Sequence, residues 1–360
     1  MKLTLLPFIA VVVAVLFAAS IGASGTAAAM GAAYGGGAVK SRRVAVWLAG
    51  ICAAIGAVTS GSAVAVTISQ GLIPSSLITA EVSVIILTAA CLALYYANHL
   101  GIPLSTSEVT IGSLVGAGLA FSQVYWHTFA IIVFAWLVTP VLAFLISYAL
   151  NRLLAPLDKR WSAQQGMWRY LLVMILTLCG CYEAFSAGMN NAANAIGPLI
   201  GAEIVPLPLG LCIAALAMAG GSITLGSKVL ETNGKKIVTL SLLQGSVVSF
   251  TGGSLIMSAS LLGLPVPLTQ ATTMAIIAAG GQKMGLSIFR QPVVKRIMMI
   301  WILSPVSSMV LSYLLVKMIV FGSNLYIVLT CAFILILMTV LYVKNMTNPF
   351  PFRKERNVRP

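Results

Sequence analysis

Charge is what this chain has least of. Of its 360 residues only 8% are Asp, Glu, Lys or Arg, and seven are acidic, whereas soluble globular domains carry about 25% charged residues. A water-soluble globular fold is thereby excluded. Histidine is almost missing, with two residues. The six cysteines, Cys52, Cys91, Cys179, Cys181, Cys212 and Cys331, all lie in apolar stretches, and no pair has the spacing and polar setting of a zinc site. Each is expected to be buried, reduced and structural; Cys179-Gly180-Cys181 is too tight for a redox motif. No His-Glu-x-x-His, Gly-x-Ser-x-Gly or paired-aspartate constellation occurs, which argues against an enzyme. No metal or cofactor is implied.

What remains is apolar: 59% of residues are hydrophobic and the mean hydropathy is +1.03. Apolar runs near 5–21, 44–60, 78–97, 128–150, 170–187, 207–226, 238–262, 297–318 and 324–343 are mostly long enough for spans of roughly 20 residues. Shorter stretches at 109–121 and 271–280 read as short spans or re-entrant pieces. The expected fold is an all-α integral membrane protein with about 10–12 transmembrane segments. Lys2 and the run after it also fit the loose pattern of a secretory signal, but that run leads straight into a repeated motif and is read as the first span.

The net charge of +14 does not mark a nucleic-acid binder, because the basic residues sit between apolar runs and not on a soluble face. All but Lys2 and Lys317 of the 21 fall in five clusters, around Lys40, Arg152 to Arg169, Lys228 to Lys236, Lys283 to Arg296, and Lys344 to Arg359. Cytoplasmic loops carry such an excess. Counting crossings from these clusters puts the N-terminus outside and the C-terminus inside. Loop 198–206 has no Lys or Arg, whereas its counterpart carries Lys40, Arg42 and Arg43. The two halves are therefore expected to lie in opposite orientations.

A repeat runs through the chain. Gly22-Ala23-Ser24-Gly25-Thr26 to Gly31 returns, altered, as Gly188-Met189-Asn190-Asn191-Ala192 to Gly197; Leu100 to Glu108 returns as Leu262 to Gln270; and Trp136 to Pro140 returns as Trp301 to Pro305. Three collinear matches at nearly constant offset indicate duplication. The reading is a first inverted repeat over 1–150, a basic cytoplasmic linker over 151–169, a second repeat over 170–320, and a C-terminal helix with a basic tail over 321–360. Each polar, glycine-bearing copy is expected to break its helix, and paired breaks mark a transport site.

Gly188 to Leu199, the Leu-Pro-x-Ser-Thr type element at 103–106, and Glu231-Thr232-Asn233-Gly234-Lys235-Lys236-Ile237 resemble the inorganic phosphate transporter (PiT) family. Phe185 to Asn191 and Pro103 to Glu108 resemble more narrowly its bacterial sulfate permease branch. The resemblance implies a cation-driven secondary transporter, commonly a homodimer, in the cytoplasmic membrane, with an anion held between the two signatures. Family phosphate carriers have Gly-Ala-Asn-Asp in each signature, and the Asp takes part in phosphate and sodium binding. Gly25 and Asn191 stand at those positions here. Sulfate has no proton to share with a carboxylate and can only accept hydrogen bonds, so the loss of both acids points to sulfate. Phosphate, thiosulfate, molybdate and selenate are the nearest rivals.

The residues expected to supply donors are Ser24, Gly25 through its backbone, Thr26, Asn190, Asn191 and Asn194, helped by helix N-termini. Ser105, Thr106 and Ser107 follow Pro103, where a helix can start with hydroxyls capping it; their repeat mates keep Thr269 and Gln270. Ala27, Ala29, Gly31 and Gly197 read instead as packing residues. Intramembrane acids are expensive and usually functional, so Glu108 and Glu183 are candidates for carrying a coupling proton, preferred over sodium. Glu231 is expected to pair with Lys235 or Lys236 on its helix. His99 and His127 read as interfacial.

Overall fold

The computed structural model of the protein describes residues 2–100, 104–162, 166–232, 234, 237–327, 329–331 and 333. Among these residues every regular element is helical. The first half contains α1 (Lys2–Ile21), α2 (Arg42–Ser60), α3 (Ser62–Gln70), α4 (Ala80–Leu100), α5 (Thr106–Ala120) and α6 (Trp126–Ser162). The second contains α7 (Met167–Gly201), α8 (Leu207–Leu225), α9 (Leu242–Leu261), α10 (Leu268–Met284) and α11 (Pro292–Ile319). Seven helices among the described residues are long and apolar enough to cross a membrane. The expected tail, and most of the C-terminal helix before it, lie outside the described residues.

Besides the nine-residue α3, the repeat-mate helices α5 and α10 are too short to cross. α5 has 15 residues and α10 has 17, which at 1.5 Å per residue gives about 22 and 25 Å, less than a hydrocarbon core of about 30 Å. Both begin inside the protein, with Ser105, Thr106, Thr269 and Gln270 buried in their first turns. Ser105 starts α5 in extended conformation and its hydroxyl accepts the Glu108 N–H at 3.2 Å, as a capping serine does.

The halves exchange partners. α2 packs along α7 and α8 along α1; α5 packs on α11 and α10 on α6. Glycines make the first crossings possible. A Cβ on Gly22 would overlap the Met218 carbonyl of α8, and one on Gly188 would overlap the Ala53 carbonyl of α2. The reverse contacts match, Gly221 against Ala19 and Gly56 against Phe185. Each glycine thus has a repeat mate meeting the mate of its own partner. Trp136 adds a further exchange, donating its indole N–H to the Pro265 carbonyl at 2.9 Å.

The two signatures differ in backbone. The first copy breaks as expected: Gly22–Thr26 forms a π-turn in which Ala27 N–H reaches back to Gly22, and the helix lapses again at Met30 before Gly31–Gly35. The second copy does not break. α7 runs unbroken for 35 residues through Asn190, Asn191 and Asn194. Its asparagine amides supply polar groups from side chains, so the backbone keeps its own hydrogen bonds. A π-turn in place of such amides is a common device at functional sites.

Other expectations are also revised. Helix α6 continues to Ser162 and α7 begins at Met167, so most of the expected linker is helix end. Cys212 and Cys331 are exposed and the other four cysteines are half-buried, with none in a disulfide; Cys52, Cys91 and Cys181 pack against the core. Glu231 pairs with Arg42 at the start of α2, an inter-helix link that sequence spacing could not show; Lys235 and Lys236 lie outside the described residues. His127 is exposed, and the His99 side chain lies outside the described residues.

Candidate functional site

The signatures meet at the start of the short helices. Ser24 donates to the Leu104 carbonyl at 3.2 Å, and the N–H of Val266, the repeat mate of Leu104, donates to Asn190 Oδ1 at 3.3 Å. Each signature is thus latched to the segment leading into the short helix of its own half. Asn190 is saturated: its amide donates to Ser260 Oγ at 2.8 Å and the Leu264 carbonyl at 3.0 Å, and its oxygen also accepts from Ser107 at 3.3 Å. It holds the loop before α10 and has no donor left for a ligand.

Asn191 behaves differently. Its Oδ1 accepts from the Thr106 hydroxyl at 2.9 Å, and that hydroxyl accepts from Asn194 Nδ2 at 3.2 Å. In this arrangement the Thr106 hydroxyl spends its one proton on Asn191 and accepts from Asn194. Its Nδ2 then points away from Thr106. A Cβ placed on Gly25 would stand 2.9 Å from that nitrogen and would meet no described residue other than Asn191 within 4 Å. Asn191 Nδ2 itself has no hydrogen-bond partner among the described residues, though the residue is 1% exposed. Burying such a donor unpaired costs about 1–3 kcal/mol.

Near the signatures, two hydroxyls share this condition. Thr26 and Thr269 are buried and their oxygens lack partners among the described residues. Thr269 is the repeat mate of Ser107, and Ser107 accepts from Asn194 at 3.2 Å. The residue matching Asn194 in the first signature is Ala28, so no amide reaches Thr269 from there, and α10 runs beside Ala27–Ala29. Ser105, Thr106 and Ser107 sit in the first turn of α5, where backbone N–H groups have no intrahelical acceptor. The result is a buried region where the signatures meet, with the Asn191 amide nitrogen, the Thr26 and Thr269 hydroxyls and one acceptor, Asn194 Oδ1, all without partners among the described residues. It has helix N-termini beside it and no carboxylate in either signature.

Gly25 and Asn191, the two positions aligned in the sequence repeat, face each other directly. So do Glu108 and Gln270, another repeat pair, with the Gln270 amide donating to Glu108 Oε1 at 2.5 Å. These pairs place the internal two-fold axis through the site.

A model of the phosphate transporter family matches the chain twice, over residues 21–175 and 158–312. The chain belongs to the phosphate transporter family. One family match falls on each half, in keeping with the inverted repeat. The sulfate permease CysP of Bacillus subtilis is 43% identical over 86% of this chain and 87% of its own length. A putative phosphate permease of Pyrococcus furiosus is 27% identical over 83% of this chain and 92% of its own. Among solved structures, the sodium-dependent phosphate transporter superposes with a TM-score of 0.77 at 26% identity, covering 87% of this chain and 99% of that one. The family member described here is a multi-pass membrane protein.

Of the residues expected at the site, Gly25, Thr26, Asn191, Asn194, Thr106, Ser107 and Thr269 fall around the cradle or one bond from it. Ser24, Ser105 and Asn190 are structural latches and caps. Gln270 serves Glu108. Glu183 lies apart, two helical turns before Asn190 on α7, and its carboxylate accepts from Thr272 on α10. Ser260 and Thr272 carry no signal in the sequence, being single polar residues in apolar runs.

Proposed function

We propose that the protein is a sulfate permease that imports the anion across the cytoplasmic membrane by cation-coupled symport, with a proton as the preferred cation and alternating access to a single site. It is an anion transporter by family; the choice of sulfate is carried by the Asn191 amide. That donor is buried and without a partner among the described residues over Gly25, where family phosphate carriers have carboxylates in both signatures. A dianion without protons needs donors and is repelled by carboxylates. The relative named as a sulfate permease supports the same reading.

Phosphate is the second reading, favoured by the relatives named as phosphate permeases. Uptake of labelled sulfate into proteoliposomes under an imposed proton or sodium gradient, with phosphate as competitor, separates the two. Uptake of phosphate without sulfate would refute the proposal. Accumulation above the external concentration separates a carrier from a channel. The expected homodimer and the expected terminus orientation belong to this proposal and are checked by crosslinking and by labelling of single-cysteine variants from either side.

A further inference from the structure

Glu183 sits in a polar pocket that exists in one half only. Its side chain is fully buried, one carboxylate oxygen accepts the Thr272 hydroxyl of α10, and the other has no partner among the described residues. Beside it on α9 stands Ser249, buried, its hydroxyl close enough to interact with the carboxylate though it makes no hydrogen bond of full geometry among the described residues. Gly252, one turn further along α9, leaves room: a Cβ there would come within 2.8 Å of the carboxylate. The repeat offsets assign mates to all four residues: Phe17, Leu87, Ala90 and Thr110. In the first half Phe17, Leu87 and Ala90 are fully buried members of one apolar cluster, and Thr110 turns its hydroxyl back to the Thr106 carbonyl of its own helix. The same place in the fold is packed shut on one side of the axis and polar on the other.

From this asymmetry we infer that Glu183, Ser249 and Thr272 form the binding site of the coupling cation, and that the cation is a proton. The inference rests on the transport reading above and deepens it. A hard cation stripped of water takes about six oxygens, whereas this pocket offers two carboxylate and two hydroxyl oxygens, with the helix carbonyls around it engaged in their own ladders. A proton needs only one oxygen to leave and one acceptor to point at. Placed on the free oxygen of Glu183, it gives both that oxygen and Ser249 Oγ a use. The groups facing the carboxylate are Thr272 from α10, Ser249 and Gly252 from α9, and Cys179 a turn earlier on α7. None of them is a cation. The pocket joins the two helices that carry the anion donors: α7 holds Asn191 and Asn194, and α10 holds Thr269 one turn before Thr272. Loading or emptying Glu183 changes the bond between them.

The test is Glu183→Gln, which imitates the loaded form, in proteoliposomes. Sulfate counterflow, which needs the anion site alone, is expected to stay within about threefold of wild type, a change under 1 kcal/mol, and to lose its pH dependence. Accumulation driven by a proton gradient is expected to vanish. Retained proton-driven accumulation in the variant overturns the inference, as does wild-type accumulation driven by sodium alone. Should Glu183→Gln lose counterflow as well, Thr272→Val decides: a displaced pH midpoint of uptake supports the site, and an unchanged profile overturns it. Wild-type counterflow of phosphate in place of sulfate would refute the substrate reading while leaving the proton assignment to the gradient experiment.

Discussion

Replacing Asn191 by Asp changes one atom where the site is most specific. Asp can still accept from Thr106 and Asn194 through the oxygen that Asn191 already uses, so the local hydrogen bonds on that side survive. What changes is the group facing Gly25, from an N–H donor to an oxygen. Loss of one hydrogen bond to a charged ligand is worth about 1.5–3 kcal/mol, or about 10- to 150-fold in affinity. If the new carboxylate is ionised, it adds repulsion. At about 4 Å and an effective dielectric near 20, each unit charge contributes about 4 kcal/mol, so a dianion meets about 8 kcal/mol. The donor term alone is measurable, and the charge term takes the effect beyond it. Sulfate KM in proteoliposome uptake is therefore expected to rise at least about 100-fold, with the protein's thermal stability without substrate little changed. Phosphate uptake should fall less, since its proton can bridge to the carboxylate. Sulfate transport within a few-fold of wild type would show that Asn191 does not face the anion and would refute the cradle.

Gly25→Asp places a carboxylate against the same amide from the other side, and sulfate counterflow is expected to be lost while detergent-solubilised protein remains folded by size exclusion. Thr106→Val removes a hydroxyl that donates to Asn191 and accepts from Asn194; each amide group loses one partner and keeps another, a destabilisation of about 1–3 kcal/mol, read as a lower Tm together with a raised sulfate KM. Gly22→Ala drives a methyl into the Met218 carbonyl, and the loss of about 3 kcal/mol or more should appear as poor folded yield, whereas Gly220→Ala, with nothing within 4 Å of the added carbon, should express like wild type.

The architecture could be read from the chain because duplication leaves collinear marks. Gly22 with Gly188 and Trp136 with Trp301 are recognisable pairs, and the scarcity of charge fixes the solvent of the fold. The Ser105 cap was equally readable, since capping is a local event of three residues. The site itself was legible only in part. Asn190 and Asn191 are adjacent and chemically identical, yet one is saturated by Ser260, Leu264, Ser107 and Val266 while the other keeps a free donor. That difference comes from partners about 70 to 85 residues away, for which no periodicity exists. The unbroken second signature was missed for a related reason. Glycine and asparagine content suggested a break, but the helix holds because the amides find side-chain partners on α5. Glu183 with Thr272, two single polar residues in apolar runs, shows the same limit.

The exchange of partners between halves bears on how such a molecule comes to be made. When the first half leaves the ribosome, the glycine faces of α1 and α2 have nothing to close upon, because α8 and α7 have not yet been synthesised. Final assembly must wait for the whole chain, and neither half is a folding unit in its own right. The glycine crossings also occur twice, once in each direction across the axis. An ancestral single repeat, inserted in the bilayer in both orientations, could have formed this bundle as a pair of separate chains. Fusion of two such copies leaves each free to diverge, and Phe17 in one half stands where Glu183 stands in the other.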